Sequence, residues 1–172
     1  MTHTQGQSDA ESHRNYVNTL EERFERDGFQ SDSEVRIENH RLEVFAYKAS
    51  LSLKEPNRVV NMLTWIEALT GEMAQDFVQK SFAVALGYKP LRHFVCLAFP
   101  IIVTSEPDSR VIDLVPRLTS KRFSLPNLSS DVVHPVLVDV SAKRIYHSER
   151  RPFWRGLTLR MAVDYTNKYL VF

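Results

Sequence analysis

The sequence predicts an α+β fold: a mostly antiparallel or mixed sheet of about five to six strands, packed against an N-terminal helix and a long central helical region. Three stretches carry that expectation. From Phe94 to Val103 every residue is apolar or proline, in a run rich in Val, Ile and Phe. Such a run is too short for a bilayer, which needs about 20 residues, and reads as a strand buried on both faces. Tyr16, Val17, Leu20 and Phe24 recur at helical spacing, and residues 42–47 alternate as a strand does.

Taken in order, residues 1–8 are polar and are expected to form a disordered tail ahead of a single α+β domain over 9–172. Ser8-Asp9-Ala10-Glu11 fits a capping box, in which a hydroxyl caps free amides and a glutamate reaches back. The first helix is expected over 9–27. Gly28 can take the left-handed conformation that ends it, with Phe29 folding back on the last turn.

Residues 34–37 and 42–53 read as two strands joined tightly at Asn39-His40. In the second, Leu42, Val44 and Ala46 face one way while Glu43, Phe45 and Tyr47 face the other, so it is expected to be internal. Residues 58–86 read as helical, on a stripe of Val59, Leu63, Ile66, Thr70, Met73, Phe77, Ser81 and Val84. Gly71 would then bend or divide the helix, and Gly87 with Pro90 would stop it. The apolar run follows as the central strand, over about 92–103. Pro100 has no amide proton to give, so one side of the strand must be free, bulged or ending there.

Beyond it, residues 104–109 read as a loop and 110–118 as a short helix ended by Pro116. Residues 119–130 read as irregular because of Pro126, Asn127, Ser129 and Ser130. A strand over 136–140 is expected to pair with 143–147 across Ser141-Ala142. In the last segment Trp154, Leu157, Met161 and Tyr165 suit a helix, but Leu157, Leu159, Met161, Val163 and Tyr165 alternate strictly. The strand wastes less apolar surface and is preferred. The closing Tyr-Leu-Val-Phe is expected to be tucked in.

Composition excludes several classes. At 43% hydrophobic and 25% charged the chain is ordinary for a globular domain, with no membrane segment expected. Its single cysteine, Cys96, allows no disulfide framework and no cysteine metal cluster. With a polar N-terminus lacking an apolar signal core, it is expected to be cytoplasmic. The glycines form no phosphate-cradling loop, and no serine sits in a nucleophile elbow. The six histidines, His3, His13, His40, His93, His134 and His147, form no close pair of the kind that presets a zinc site. No metal and no cofactor is assigned. Charge is uneven: residues 1–109 hold 11 Lys/Arg against 16 Asp/Glu, a balance of −5, and residues 110–172 hold 11 against 5, a balance of +6. Such asymmetry marks a partner surface unless the halves neutralise each other.

Two segments invite a functional reading. In His147-Ser148-Glu149-Arg150-Arg151-Pro152-Phe153-Trp154-Arg155-Gly156 three arginines interleave with two aromatics. Arginine pairs bidentately with phosphates and stacks on rings, so Arg150, Arg151, Trp154 and Arg155 are the candidate binding residues. Lys143 and Arg144 join them, and Lys121-Arg122 would extend the same positive face if the fold brings them together. The function this predicts is a non-enzymatic binding or adaptor protein recognising an acidic partner, protein or nucleic acid, with a homo-oligomer among the expected assemblies.

The alternative rests on Leu42-Glu43-Val44-Phe45-Ala46-Tyr47-Lys48 within an order of helix, strand, strand, helix, apolar strand. That order resembles part of the restriction-endonuclease-like nuclease core. The resemblance covers about half the chain and implies a metal-dependent nuclease, with an acid on one strand and an acid-x-Lys on the next. Here Glu43 and Lys48 lie five apart, on opposite faces of a straight strand, and the acid-x-Lys strand is missing, so the core would be degenerate. Whether the chain is an enzyme stays open at this point.

Overall fold

The computed structural model describes residues 3–49, 58–87, 95–124, 129–149 and 157–172. Its element order is α1 (His3–Arg26), β1 (Gln30–Ser31), β2 (Val44–Ala49), β3 (Arg58–Trp65), α2 (Gly71–Gly87), β4 (Val95–Thr104) and α3 (Ser109–Leu114). A 3-10 turn (Val115–Leu118), β5 (Ser120–Ser124), β6 (Ser129–Val133), β7 (Val136–Asp139), β8 (Arg144–Tyr146) and α4 (Leu157–Tyr169) follow. The fold is α+β, as expected, but the sheet has eight strands rather than five or six.

The sheet is mixed and organised around β4. β1, β2 and β3 form an antiparallel run, and β3 then lies parallel to β4. On its other side β4 pairs in parallel with β6 along Val95–Ala98 and with β7 along Ile101–Thr104. β5 and β8 make the outermost row, antiparallel to β6 and β7.

This arrangement shows how Pro100 is accommodated. The carbonyls of Ala98 and Thr104 accept from His134 and Val140, on the outer side, whereas that of Val103 accepts from Ile66 on the β3 side. Backbone groups alternate along a strand, so the Pro100 nitrogen faces outward, into the gap between the β6 and β7 pairings, where no bond is lost.

Both faces of the sheet are covered. Val44, Val59, Leu63, Leu97, Phe99 and Ile101 pack with Tyr16, Leu20 and Phe24 of α1 and Ala162 and Leu170 on the α4 side. Phe45, Val60, Met62, Ala98 and Ile102 pack with Ala74, Phe77 and Val78 of α2 and with Val111 and Val115. Parallel strands buried on both faces read as continuous apolar runs, and β3 and β4 do so.

Four expectations are corrected here. Residues 58–65 are a strand, not the start of a long helix: Val59, Val60, Met62 and Leu63 are buried on alternate faces, which a helix with one core face cannot do. The helix begins at Gly71, where the Thr70 hydroxyl accepts from the Met73 amide at 3.3 Å. Residues 34–37 form no strand, only an isolated bridge from Ile37 to His40 around Asn39, which has φ 64°. Ser120–Ser124 and Ser129–Val133 pair as strands where an irregular stretch was expected. The final segment is a helix, whose buried face is Thr158, Ala162, Thr166 and Leu170 with Tyr165 beside it.

Other expectations hold. α1 ends where expected, although it starts at His3, so Ser8 lies inside it and is no cap. Gly28 has φ 75°, and the Phe29 amide bonds back to the Phe24 carbonyl at 2.9 Å. α3 gives way to the 3-10 turn at Pro116. The β7–β8 hairpin forms across the expected turn, with Leu137 opposite Tyr146. α4 is fixed by the Asn61 amide of β3, which exchanges hydrogen bonds with the Tyr165 hydroxyl (2.8 and 3.1 Å) while the Tyr165 ring stacks on Phe99 at 4.3 Å. No helix among the described residues is long and apolar enough to cross a membrane.

A side chain added at Gly28 would meet nothing within 4 Å, so its cost is conformational alone. Gly28→Ala is therefore expected to lower stability by about 1–2 kcal/mol in urea denaturation, without changing the m-value. No loss would mean that the left-handed stop to α1 is not needed.

Candidate functional site

The gap beside Pro100 is the least self-sufficient place in the sheet. The outermost row breaks at the same level, because β5 starts at Ser120 opposite Val133 while β8 ends at Tyr146 opposite Leu137. His134 and Pro135 carry the chain across. The His134 amide donates to the Ala98 carbonyl at 2.8 Å, and its ring meets Phe99 edge-on with centroids 5.9 Å apart.

The His134 ring is 1% exposed, and its Nε2 lies 3.3 Å from Nδ1 of His147, so one imidazole donates and the other accepts. Burial first, and the neighbouring His147 second, push His134 down to about 3, which keeps it neutral near physiological pH. Its Nδ1 is buried with no hydrogen-bond partner among the described residues. His147 is half-buried and lines an open cleft of about 350 Å³ together with Ile112, Asp113, Arg117, Tyr146 and Glu149. The cleft thus offers both signs of charge around an imidazole pair that shares one proton. Among the described residues its lining carries one hydroxyl, that of Tyr146, and no thiol.

Of the residues singled out by sequence, Arg150, Arg151, Trp154 and Arg155 lie outside the described residues. That segment joins Glu149, on the cleft, to Leu157, where α4 begins. Lys143 and Arg144 are exposed on the β7–β8 turn, and neither pairs with a carboxylate among the described residues. The turn is held by Asp139, whose Oδ1 accepts from the Ser141 amide and hydroxyl and the Ala142 amide at 2.7–3.0 Å. Lys121 and Arg122 are exposed on β5. They do not adjoin Lys143 and Arg144. Lys121 is level with Leu97 of β4 and Arg144 with Thr104, seven residues or ~23 Å along one continuous strand. The basic side chains are spread along one edge of the sheet instead of forming a single patch.

Four acids gather at the other edge. A groove between α1 and β1–β2 is lined by Glu21, Glu25, Asp32 and Glu43. Burial, and then Glu43 nearby, raise the Glu21 carboxyl. Ion pairs between described residues fall mostly within one half of the chain, and Lys168 to Asp27 at 3.8 Å crosses between halves.

Glu43 accepts from, or donates to, His13 Nε2 at 2.6 Å, depending on which carries the proton. Lys48 donates to the Asp27 carbonyl at 2.6 Å and sits over the Phe29 ring. These two side chains are turned to different tasks, one to α1 and the other to the cap of that helix. The strand next to β2 is β3, Arg-Val-Val-Asn-Met-Leu-Thr-Trp, with no acid and no lysine. Among the described residues no three His, Cys, Asp or Glu side chains cluster as a metal site would require.

The His134–His147 pair was not singled out by sequence, yet a signal exists. A two-residue turn at Ser141-Ala142 sets Val140 opposite Lys143, and counting back along both strands puts His134 diagonal to His147. Compared with protein-family models, curated proteins and solved structures, the chain matches none.

The folded chain keeps His134 neutral, whereas the unfolded chain takes up a proton at the ordinary value of 6.5. Its contribution to stability is full above that value and is lost as pH falls toward about 3. Unfolding free energies from urea titrations between pH 7 and 4.5 are expected to fall by up to about 1.4 kcal/mol per pH unit more in the parent than in His134→Gln. Parallel pH profiles for the two proteins would contradict a neutral buried ring.

Proposed function

We propose that this chain is a non-enzymatic cytoplasmic binding protein that takes an acidic partner along the sheet edge bearing Lys143 and Arg144. One observation carries the reading: two exposed cations stand at a turn fixed by Asp139, without a carboxylate partner among the described residues, while Glu21, Glu25, Asp32 and Glu43 line a groove at the opposite edge. Fixed cations with no internal partner lose little when they meet an external anion, because no existing ion pair must break and the backbone beneath them is already ordered. In sequence, Glu149 is followed by Arg150, Arg151, Phe153, Trp154 and Arg155, three further cations and two rings. The buried position of the lone cysteine, Cys96, fits a reducing compartment. A second copy of the chain, offering its Glu21–Glu43 groove, is one partner of this description.

The test is a titration with a labelled mixed-sequence oligonucleotide and with an acidic peptide, each at low and moderate salt. Binding of at least one is expected, weakening steeply as salt rises. Charge reversal at Lys143→Glu with Arg144→Glu is expected to weaken it and to reduce the slope of log affinity against log salt by about two. Absence of binding to either polyanion at low salt, or an unchanged slope in the double variant, would defeat the reading.

A further inference from the structure

We infer that His13 is a proton-sensitive latch: when charged it holds the N-terminal half of α1 on the sheet, and when neutral it releases that half and leaves Glu43 without its cation. The latch is a three-way contact between elements distant in sequence. His13 lies on α1, Glu43 immediately precedes β2, and Trp65 closes β3. The His13 Nε2 stands 2.6 Å from the Glu43 carboxylate, and its ring lies against Trp65 with centroids 4.3 Å and planes 34° apart.

Position gives this contact its weight. From Tyr16 onward α1 is anchored by the buried side chains of Tyr16, Leu20 and Phe24. Upstream, none of residues 8–15 is buried, and among them His13 alone bonds to or stacks on another element. The His13 and Glu43 side chains are 17% and 28% exposed, so solvent screens the pair only in part.

The contact is stronger with a charged ring for two reasons. An imidazolium and a carboxylate attract as opposite charges as well as through the hydrogen bond, and a cation is also drawn to the face of an indole. A neutral ring keeps the hydrogen bond at most. The groups facing the ring are Glu43 from the start of β2 and Trp65 from β3, which carries no charge. On α1 itself, Glu21 lies close enough to Glu43 for its carboxyl to be raised, with burial the larger cause. Imidazole changes charge between about pH 5 and 8, so the latch engages toward the acid end of that range. On release, Glu43 stands in the groove with Glu21, Glu25 and Asp32 as an unneutralised charge, and the covered face of Trp65 opens. The inference is independent of the polyanion reading, whose cations lie at the opposite edge of the sheet.

Amide hydrogen exchange on the full chain, corrected for the intrinsic rate at each pH, tests the latch. Residues 8–13 are expected to be protected about 5-fold more at about pH 5.5 than at about pH 8. His13→Gln and Glu43→Gln are each expected to remove that difference. His40→Gln, which alters a histidine paired with Asp76 instead, is expected to keep it. Trp65 is the one indole left in Trp154→Phe, and its emission is expected to move to longer wavelength as pH rises. The sign separates this local event from global unfolding, because the buried His134 makes the whole fold less stable as pH falls while the latch tightens. Equal protection at the two pH values, a pH dependence retained in both His13→Gln and Glu43→Gln, or a Trp65 emission indifferent to pH would overturn the proposal.

Discussion

A strand without a polar side chain for nine residues has to be hidden on both faces, and β4 imposes that requirement on everything around it. Phe99, Ile101 and Val103 need one helical layer and Ala98 and Ile102 need another. That is why α1 and α4 lie on one side and α2 and α3 on the other. It is also why β3, its parallel neighbour, must be apolar on both faces in register, from Val59 beside Leu97 to Leu63 beside Ile101. Each fully buried aliphatic in this pair contributes about 1.5–3 kcal/mol relative to exposure. The core is thus concentrated in two adjacent strands, and the outer strands are free to carry charge.

Charge at the rims of the sheet has a double consequence. Lys121, Arg122 and Arg144 sit on strands with one unpaired edge, where cations discourage further strand pairing. The same cations lie on the rim away from the groove lined by Glu21, Glu25 and Glu43. A sheet edge that resists its own kind through charge is at the same time attractive to a partner of opposite sign, so solubility and recognition draw on the same side chains.

Much of this was legible in the sequence where a residue has only one physical use. Gly28 stops α1 by its left-handed backbone, Pro100 requires a missing neighbour, and Ser141-Ala142 turns a hairpin. The candidate cations Lys143 and Arg144 were found because exposed charge follows from composition alone, whereas their lack of a carboxylate partner among the described residues depends on the tertiary fold. Reading failed where one pattern fits two periods. Val59 and Leu63 suit a helix stripe, but Val60 and Met62 fill the positions between them, and a strand buried on both faces has no period to detect. In α4 the core-facing stripe is Thr158, Ala162 and Thr166, small because the helix lies close to the sheet, while Leu159 and Met161 are only partly covered. Apolar alternation therefore pointed to a strand. Thr166 satisfies its hydroxyl on the Ala162 carbonyl and costs the core little. The Asn61–Tyr165 pair, which decides the matter, spans 104 positions and leaves no local trace.

The break in the outer rows follows from the same strand. β4 is ten residues long, and β6 and β7 are five and four, so one flank cannot be covered by a single partner. A proline at the join removes the amide that would otherwise be stranded, and the His134 amide takes up the Ala98 carbonyl. Among the described residues the second nitrogen of this ring, packed against Phe99, has no partner. An apolar side chain at that position would fill the space without this penalty. Retaining an imidazole there ties the interior of the sheet to His147 on the rim through one shared proton. The two rings meet at 3.3 Å, so one imidazole nitrogen of the pair donates and the other accepts.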